Sequence, residues 1–267
     1  IMKNKKAMVF YEPLGVAGII SPWNYPLTTP LTSSVEALLA GNNVILKPSE
    51  HTPLTISYIK ELWDKYIGFN QAFEIILGGG NVGEMLVDSD DIDIICFTGS
   101  SKVGKIIAQK CALTLKPFIL ELGGKDPLIV LKDADLNRAI ESSLFAGYSN
   151  AGQTCISVEE VFVEESIFMH YTELMSERVS SMSSGDLKSM DIGSMIMDTN
   201  CTKVKEHIAE VDGGNIIRGK SIEHPMYIAP TLIIDPPEDS RVVNEETFGP
   251  VVSIRPFKNE EDLLKKV

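Results

Sequence analysis

The sequence predicts an α/β protein built on parallel sheets, and three patterns point to it. Short apolar runs at residues 16–20, 43–46, 73–77, 92–97 and 117–120 have the length and bounding residues of strands. Helical patterns lie between them. After Pro53, for example, Ile56, Ile59, Leu62, Trp63 and Tyr66 recur at spacings of three and four, the period of a helix that buries one face. The run 92–97 is apolar on both faces apart from Asp93, as expected of a strand covered by helices on both sides. Repeated strand–helix alternation makes βαβ units, and those assemble parallel sheets.

A second unit is expected to begin around Gly123-Gly124, which divides the chain into domains 1–123 and 124–267. Residues 127–131 open it as a strand, 135–147 form a helix capped by Asp133 or Asp135, and 158–163 form the next strand. Helices follow at 166–180 and 199–211, strands at 231–234 and 251–257, with the polar stretch 180–186 and Pro236-Pro237 as connectors. No internal repeat is visible. The chain opens on Ile1 and stops inside a helical pattern at 259–267, so it is expected to be an internal piece of a longer protein.

With 44% hydrophobic residues the chain can fill a core, and its formal charge of -13 leaves no basic stripe for nucleic acid or an anionic membrane. Apolar runs are too short and interrupted to span a bilayer. The four cysteines form no Cys-x-x-Cys or Cys/His spacing, so no metal site is expected, and their use suits a reducing, cytoplasmic setting.

Cys155 is the candidate nucleophile. It ends the stretch Asn150-Ala151-Gly152-Gln153-Thr154-Cys155, whose small and polar residues allow backbone to approach a ligand closely, and a thiolate is a strong nucleophile near neutral pH. Cys96 inside an apolar run, Cys111 in a helical pattern and Cys201 near a helix start read as small buried residues. Glu121 is the candidate base. It follows Pro117-Phe118-Ile119-Leu120, which places it at the end of a strand expected to be buried, where open α/β sheets put their sites.

Five further segments accompany this pair: Pro22-Trp23-Asn24-Tyr25-Pro26, Lys47-Pro48-Ser49-Glu50, Gly78-Gly79-Gly80, the run from Phe97 through Gly99-Ser100 to Gly104, and Glu245-Glu246-Thr247-Phe248-Gly249-Pro250. Singly, each reads as easily as a turn, a solvated ion pair, a loop, a helix cap or a surface acid. In this order, with Glu121-Leu122-Gly123-Gly124-Lys125 and Gly152-Gln153-Thr154-Cys155, they closely resemble the aldehyde dehydrogenase superfamily over nearly the whole chain.

The resemblance implies a Rossmann-like parallel-sheet cofactor domain, an NAD-binding domain at 1–123, and an α/β catalytic domain at 124–267, each incomplete at one terminus. It implies that Cys155 adds to an aldehyde, that the Asn24 amide and the Cys155 backbone N–H stabilise the oxyanion, and that Glu121 activates the water that hydrolyses a thioester. The presence of Glu121 disfavours relatives that pass the acyl group to coenzyme A. Cofactor contacts implied in the same way are Trp23, Lys47, Glu50, Gly78, Gly99, Ser100, Leu122, Glu246 and Phe248. A carboxylate at Glu50 suits ribose hydroxyls and repels a 2′-phosphate, so NAD is expected over NADP. Gly78-Gly79-Gly80 with Gly83 matches the letter of Gly-x-Gly-x-x-Gly, but this family binds its dinucleotide without that fingerprint.

The expected partner is a small aldehyde, with no nucleic acid and no membrane, and the full-length protein is expected to be a homodimer or homotetramer. Glu160 departs from the pattern, standing where many relatives carry a basic residue. Alternatives are a dedicated semialdehyde dehydrogenase, such as one for succinate semialdehyde, and a non-catalytic scaffold. A Tyr/Lys reductase is disfavoured, because neither Tyr148 nor Tyr171 is followed four residues later by Lys.

Overall fold

The computed structural model describes residues 6–69, 71–186, 190–211 and 215–267. The chain divides into two compact units, Ile1–Leu122 and Gly123–Val267.

The first unit runs β1 (Val16–Ile20), α1 (Thr28–Leu39), β2 (Asn43–Lys47), α2 (Pro53–Tyr66), β3 (Phe73–Ile75), α3 (Gly80–Asp88), β4 (Ile94–Gly99), α4 (Ser101–Thr114) and β5 (Phe118–Leu122). Its sheet has the order β3-β2-β1-β4-β5, and every pairing is parallel. The chain steps outward from β1 to β3, returns to β4 on the other side, and so leaves a crevice where the order reverses.

Alternation along the strands builds two cores. Ala17, Ile19, Val44, Leu46 and Phe73 pack with Ile56 of α2 on one face, and Ile95 and Phe97 pack with Leu86, Val87, Ile107 and Cys111 of α3 and α4 on the other. The expected strand 92–97 begins only at Ile94. Asp93 is tied to the start of β1 twice, its carboxylate accepting the Val16 N–H at 2.7 Å and its own N–H donating to the Val16 carbonyl at 2.9 Å.

The expectation of a buried strand at 117–120 is corrected. Among the described residues β5 ends the sheet order, with β4 as its one neighbour, and Phe118, Ile119 and Glu121 are exposed. Edge position leaves one side of the strand open, and the faces of β5 lack the packing that buries Phe73 on the opposite edge.

The second unit runs β6 (Asp126–Val130), α5 (Leu136–Tyr148), a 3-10 turn (Ser149–Gly152), β7 (Val158–Glu164), α6 (Glu165–Ser181), β8 (Ser183–Ser184), α7 (Asp198–Ala209), β9 (Asn215–Arg218), β10 (Lys220–Ser221), β11 (Thr231–Ile234), α8 (Arg241–Asn244), β12 (Val251–Phe257) and α9 (Glu260–Lys266). Its main sheet has the order β6-β7-β12-β11-β9, parallel except for β9 against β11, and β8 and β10 form a separate pair.

Asp135 caps α5 by accepting the Arg138 N–H at 3.2 Å. At the far end of α5 the buried Tyr148 hydroxyl donates to the Thr231 carbonyl at 2.9 Å. That bond ties the end of α5 to the sheet, and it sets where the following turn emerges. Among the described residues no helix is long and apolar enough to cross a membrane.

Candidate active site

In the first unit the carboxyl ends of β1, β2 and β4 open onto a groove of about 560 Å³, lined by Trp23, Lys47, Glu50, Gly99 and Ser100 together with His51, Gly80 and Gly83. The register brings them together: Ile20 pairs with Lys47 on one side and Phe97 on the other, so three strands end at one level.

The first turns of α3 and α4 both border this groove, which brings the positive ends of two helix dipoles to it. Ser100 caps α4, its hydroxyl accepting the Val103 N–H at 3.4 Å. A Cβ on Gly80 would meet nothing within 4 Å, so the backbone there lies open.

Lys47 is buried, with its ammonium 3.1 Å from the Pro48 carbonyl and 3.5 Å from a Glu50 carboxylate oxygen. Partial burial pushes the Glu50 carboxyl up, but its own backbone N–H and the Lys47 charge outweigh this and hold it below its usual range. It is therefore ionised at neutral pH.

Four of the residues implied for this unit stand apart from the groove lining. Gly78 holds φ +155°, where an added Cβ would strike the Val82 side chain at 2.3 Å, so it shapes the turn into α3. Leu122 packs on α4, where a Cβ on Gly104 would fall 2.6 Å from it. Asn24 is half-buried in the loop between β1 and α1. Glu121 borders a second cavity of about 320 Å³, shared with Ser33, Glu36, Cys96 and Thr98. Its carboxylate is exposed in the chain as described, so the burial expected of it is not found.

In the second unit, Cys155 lies half-buried just past a turn of unusual backbone. Asn150, Ala151 and Gly152 hold φ of 52°, 56° and 69° in succession. Left-handed residues in a row cost energy, so other contacts must hold the turn. Gln153 supplies several: its amide donates to Asn150 O at 2.9 Å and Ser194 O at 3.5 Å, and its side-chain oxygen accepts the Ile196 N–H at 3.1 Å. Beyond the cysteine, the Ser157 hydroxyl donates to Ala146 O at 3.0 Å. Burial pushes the thiols of Cys96, Cys111 and Cys201 up, with the Glu36 charge adding to the effect at Cys96, which makes them poor nucleophiles.

Two motifs far apart in sequence meet in this unit. A Cβ on Gly123 would lie 2.2 Å from a Glu246 carboxylate oxygen, so the carboxylate lies directly against the glycine backbone and a side chain there would push it aside. Burial and the nearby Glu159 charge push the Glu246 carboxyl up, against the opposing pull of Lys203, the Gly124 N–H and Lys125. Phe248 holds φ 56°.

The residue that sequence reasoning misses is Glu159. It is buried, pairs with Lys125 at 2.6 Å, and accepts the N–H groups of both Thr247 and Phe248. The available signal is two adjacent acids inside the apolar strand β7, since buried carboxylates need partners. Glu160, the other acid, is also buried, and it pairs with Arg255 on the neighbouring strand at 2.8 Å. The basic group that relatives are expected to carry on β7 thus has a counterpart on β12.

Among the described residues no group of three or more His, Cys, Asp or Glu side chains could hold a metal ion. The phenols of Tyr148 and Tyr171 are pushed up by burial, the latter to about 12, so neither suits proton transfer near neutral pH.

A parallel α/β sheet with a groove at its switch point, followed by a second α/β unit that presents a cysteine from a pinned turn, defines the class as a Rossmann-like α/β protein. The model of the "Aldehyde dehydrogenase family" matches residues 1–267. A Mycobacterium tuberculosis (strain H37Rv) protein named "Putative succinate-semialdehyde dehydrogenase (NADP(+)) 2" is 37% identical over 269 residues, covering 98% of this chain and 52% of its own length. The betaine aldehyde dehydrogenase of Vibrio vulnificus is 34% identical over 265 residues, covering 96% and 54%.

Among solved structures, the NAD+ complex of a Bacillus cereus aldehyde dehydrogenase superposes with a TM-score of 0.89 at 33% identity, covering 96% of this chain and 53% of that one. The chain belongs to the aldehyde dehydrogenase family. It spans about half the length of the curated relatives it matches.

Proposed function

We propose that the protein oxidises an aldehyde to a carboxylic acid with NAD, through a thioester on Cys155. The observation that carries this reading is the Cys155 turn, in which three consecutive left-handed residues and the Gln153 bonds present one half-buried thiol. A non-catalytic scaffold has no use for that strain.

The Cys155 thiolate adds to the aldehyde carbon, forming a C–S bond and an oxyanion that accepts hydrogen bonds from the Asn24 amide and the Cys155 backbone N–H. A neutral amide stabilises that charge without protonating the sulfur. NAD, when bound, supplies the acceptor for the two electrons that leave with the hydride of that carbon. Glu121 takes a proton from water, the water oxygen bonds to the thioester carbon, and the C–S bond breaks to release the acid and the thiolate.

The residues of the groove fit a dinucleotide. The N-terminal turns of α3 and α4, with open backbone at Gly80, suit a diphosphate. Lys47 and the ionised Glu50 suit ribose hydroxyls, Trp23, Gly99 and Ser100 would complete this end, and Glu246 and Phe248 would serve the nicotinamide riboside. Glu50 favours NAD by repelling a 2′-phosphate, although the mycobacterial succinate-semialdehyde relatives are named for NADP(+).

The same relatives' names support a second reading for the substrate, a semialdehyde such as succinate semialdehyde. The test is NADH formation by the complete reading frame with aliphatic, aromatic and acidic aldehydes, beside Cys155→Ala. Activity that vanishes in the variant is the expected result. A folded, NAD-binding protein inert toward the whole panel would overturn the proposal.

A further inference from the structure

We infer that Glu159, paired with Lys125, is a positioning residue that sets the backbone of residues 246–248, and through it the nicotinamide end of the cofactor site; this rests on the function proposed above. The carboxylate of Glu159 is 3% exposed and lies within the second unit. One oxygen accepts the N–H of Thr247 at 3.0 Å and of Phe248 at 2.8 Å. The other accepts Thr247 N–H at 2.8 Å and the Lys125 ammonium at 2.6 Å.

Two consecutive amides converge on one anion only when the backbone curls, and the left-handed φ of 56° at Phe248 supplies that curl. An anion at the centre of the curl is therefore what holds an otherwise unfavourable conformation at a bulky residue.

The contacts close into a ring. Lys125 holds Glu159, Glu159 holds the amides of Thr247 and Phe248, and Glu246 reaches back to the Gly123-Gly124 backbone beside Lys125. From the opposite side α7 grips the same segment: Lys203 donates to the Glu246 carbonyl, and His207 Nδ1 lies 3.3 Å from the Thr247 hydroxyl. The segment that carries Glu246 and Phe248 is thus clamped by buried or half-buried charges on both sides. Glu159 is the member whose bonds reach the backbone of the two residues that follow Glu246.

Glu159→Gln keeps the size but turns one acceptor into a donor facing Thr247 N–H, and it removes the partner of Lys125. In the complete protein, the expected result is a fall in kcat or a rise in KM for NAD of about tenfold or more in aldehyde oxidation. Acylation of Cys155 by p-nitrophenyl acetate without NAD should stay within about twofold, because that reaction reads the thiol and not the nicotinamide end.

Parallel loss of both activities would assign Glu159 a merely structural role, and unchanged NAD kinetics would show that the clamp positions nothing; either overturns the inference. If Glu159→Gln fails to fold, Lys125→Met keeps the three N–H bonds to Glu159 and should move the NAD parameters in the same direction, with the same two outcomes against it. A wild-type protein that is acylated by the ester yet oxidises no aldehyde would instead overturn the proposed function, and this inference with it.

Discussion

Gly152 passes so close to Gly249 that a Cβ on Gly152 would lie 2.0 Å from the Gly249 carbonyl oxygen, with Gly152 itself at φ 69°. Two glycines thereby lock the cysteine turn against the Glu-Glu-Thr-Phe-Gly-Pro segment by their backbones. The neighbouring atom is a carbonyl and cannot rotate aside, so an added methyl must move the chain. Gly152→Ala is expected to cost at least about 2 kcal/mol, since left-handed strain and the clash add. Urea unfolding checks this, and an unchanged midpoint would show that the turn has slack which the geometry denies.

Strands such as Val16–Ile20, Thr231–Ile234 and Val251–Phe257 are legible in the sequence because parallel strands covered on both faces are nearly continuous apolar runs. The antiparallel edge strand Asn215–Arg218 and the two-residue pair Ser183–Ser184 with Lys220–Ser221 are not, since short exposed strands carry no such run. The Cys155 turn is announced locally by its glycine and small neighbours. Glu159 is not announced in this way, because its backbone partners lie 88 and 89 residues further along the chain. The exposure of Glu121 was equally hidden, since an apolar run does not say whether its strand has one neighbour or two.

The ionised Glu50 beside the groove sets an expectation for cofactor choice. A 2′-phosphate placed near that carboxylate meets repulsion at neutral pH, where Glu50 is held below its usual range. The protein is expected to favour NAD over NADP by about tenfold or more in kcat/KM, and Glu50→Gln to narrow the ratio through better use of NADP. Steady-state kinetics with both cofactors decide it. An equal ratio in the two proteins would remove Glu50 from cofactor selection.

Glu121, at the end of edge strand β5, is assigned to the second half of the reaction only. Glu121→Gln should therefore form the thioester at close to the normal rate but release acid about 10²–10³ times more slowly. Rapid quench with a radiolabelled aldehyde would show acyl-enzyme accumulating over one turnover. Normal deacylation in the variant would transfer the base role to another group.

The buried pair Glu160–Arg255 makes a prediction about pH and stability. Arg255 Nη1 lies 2.8 Å from Glu160, and both side chains are almost fully buried on β7 and β12. Burial pushes the Glu160 carboxyl up, while Arg255 pulls it back down. Because the folded carboxyl is raised above its unfolded value, its contribution to stability is fully present below the unfolded pKa and is lost as pH rises through the folded one.

Arg255→Met removes the counter-charge and raises that folded pKa further. The variant should lose about 3–5 kcal/mol near pH 7, with the deficit shrinking toward pH 5 as Glu160 takes up a proton. Replacing both residues, as Glu160→Met with Arg255→Met, should recover most of the loss, because no buried charge is then left unpaired, and Glu238, the other partner of Arg255, is exposed to water. Urea unfolding of the three variants from pH 5 to 8 measures this. A deficit in Arg255→Met that does not change with pH would mean that lost packing on the Phe162 ring, over which the guanidinium lies at 5.6 Å, outweighs the stranded carboxylate.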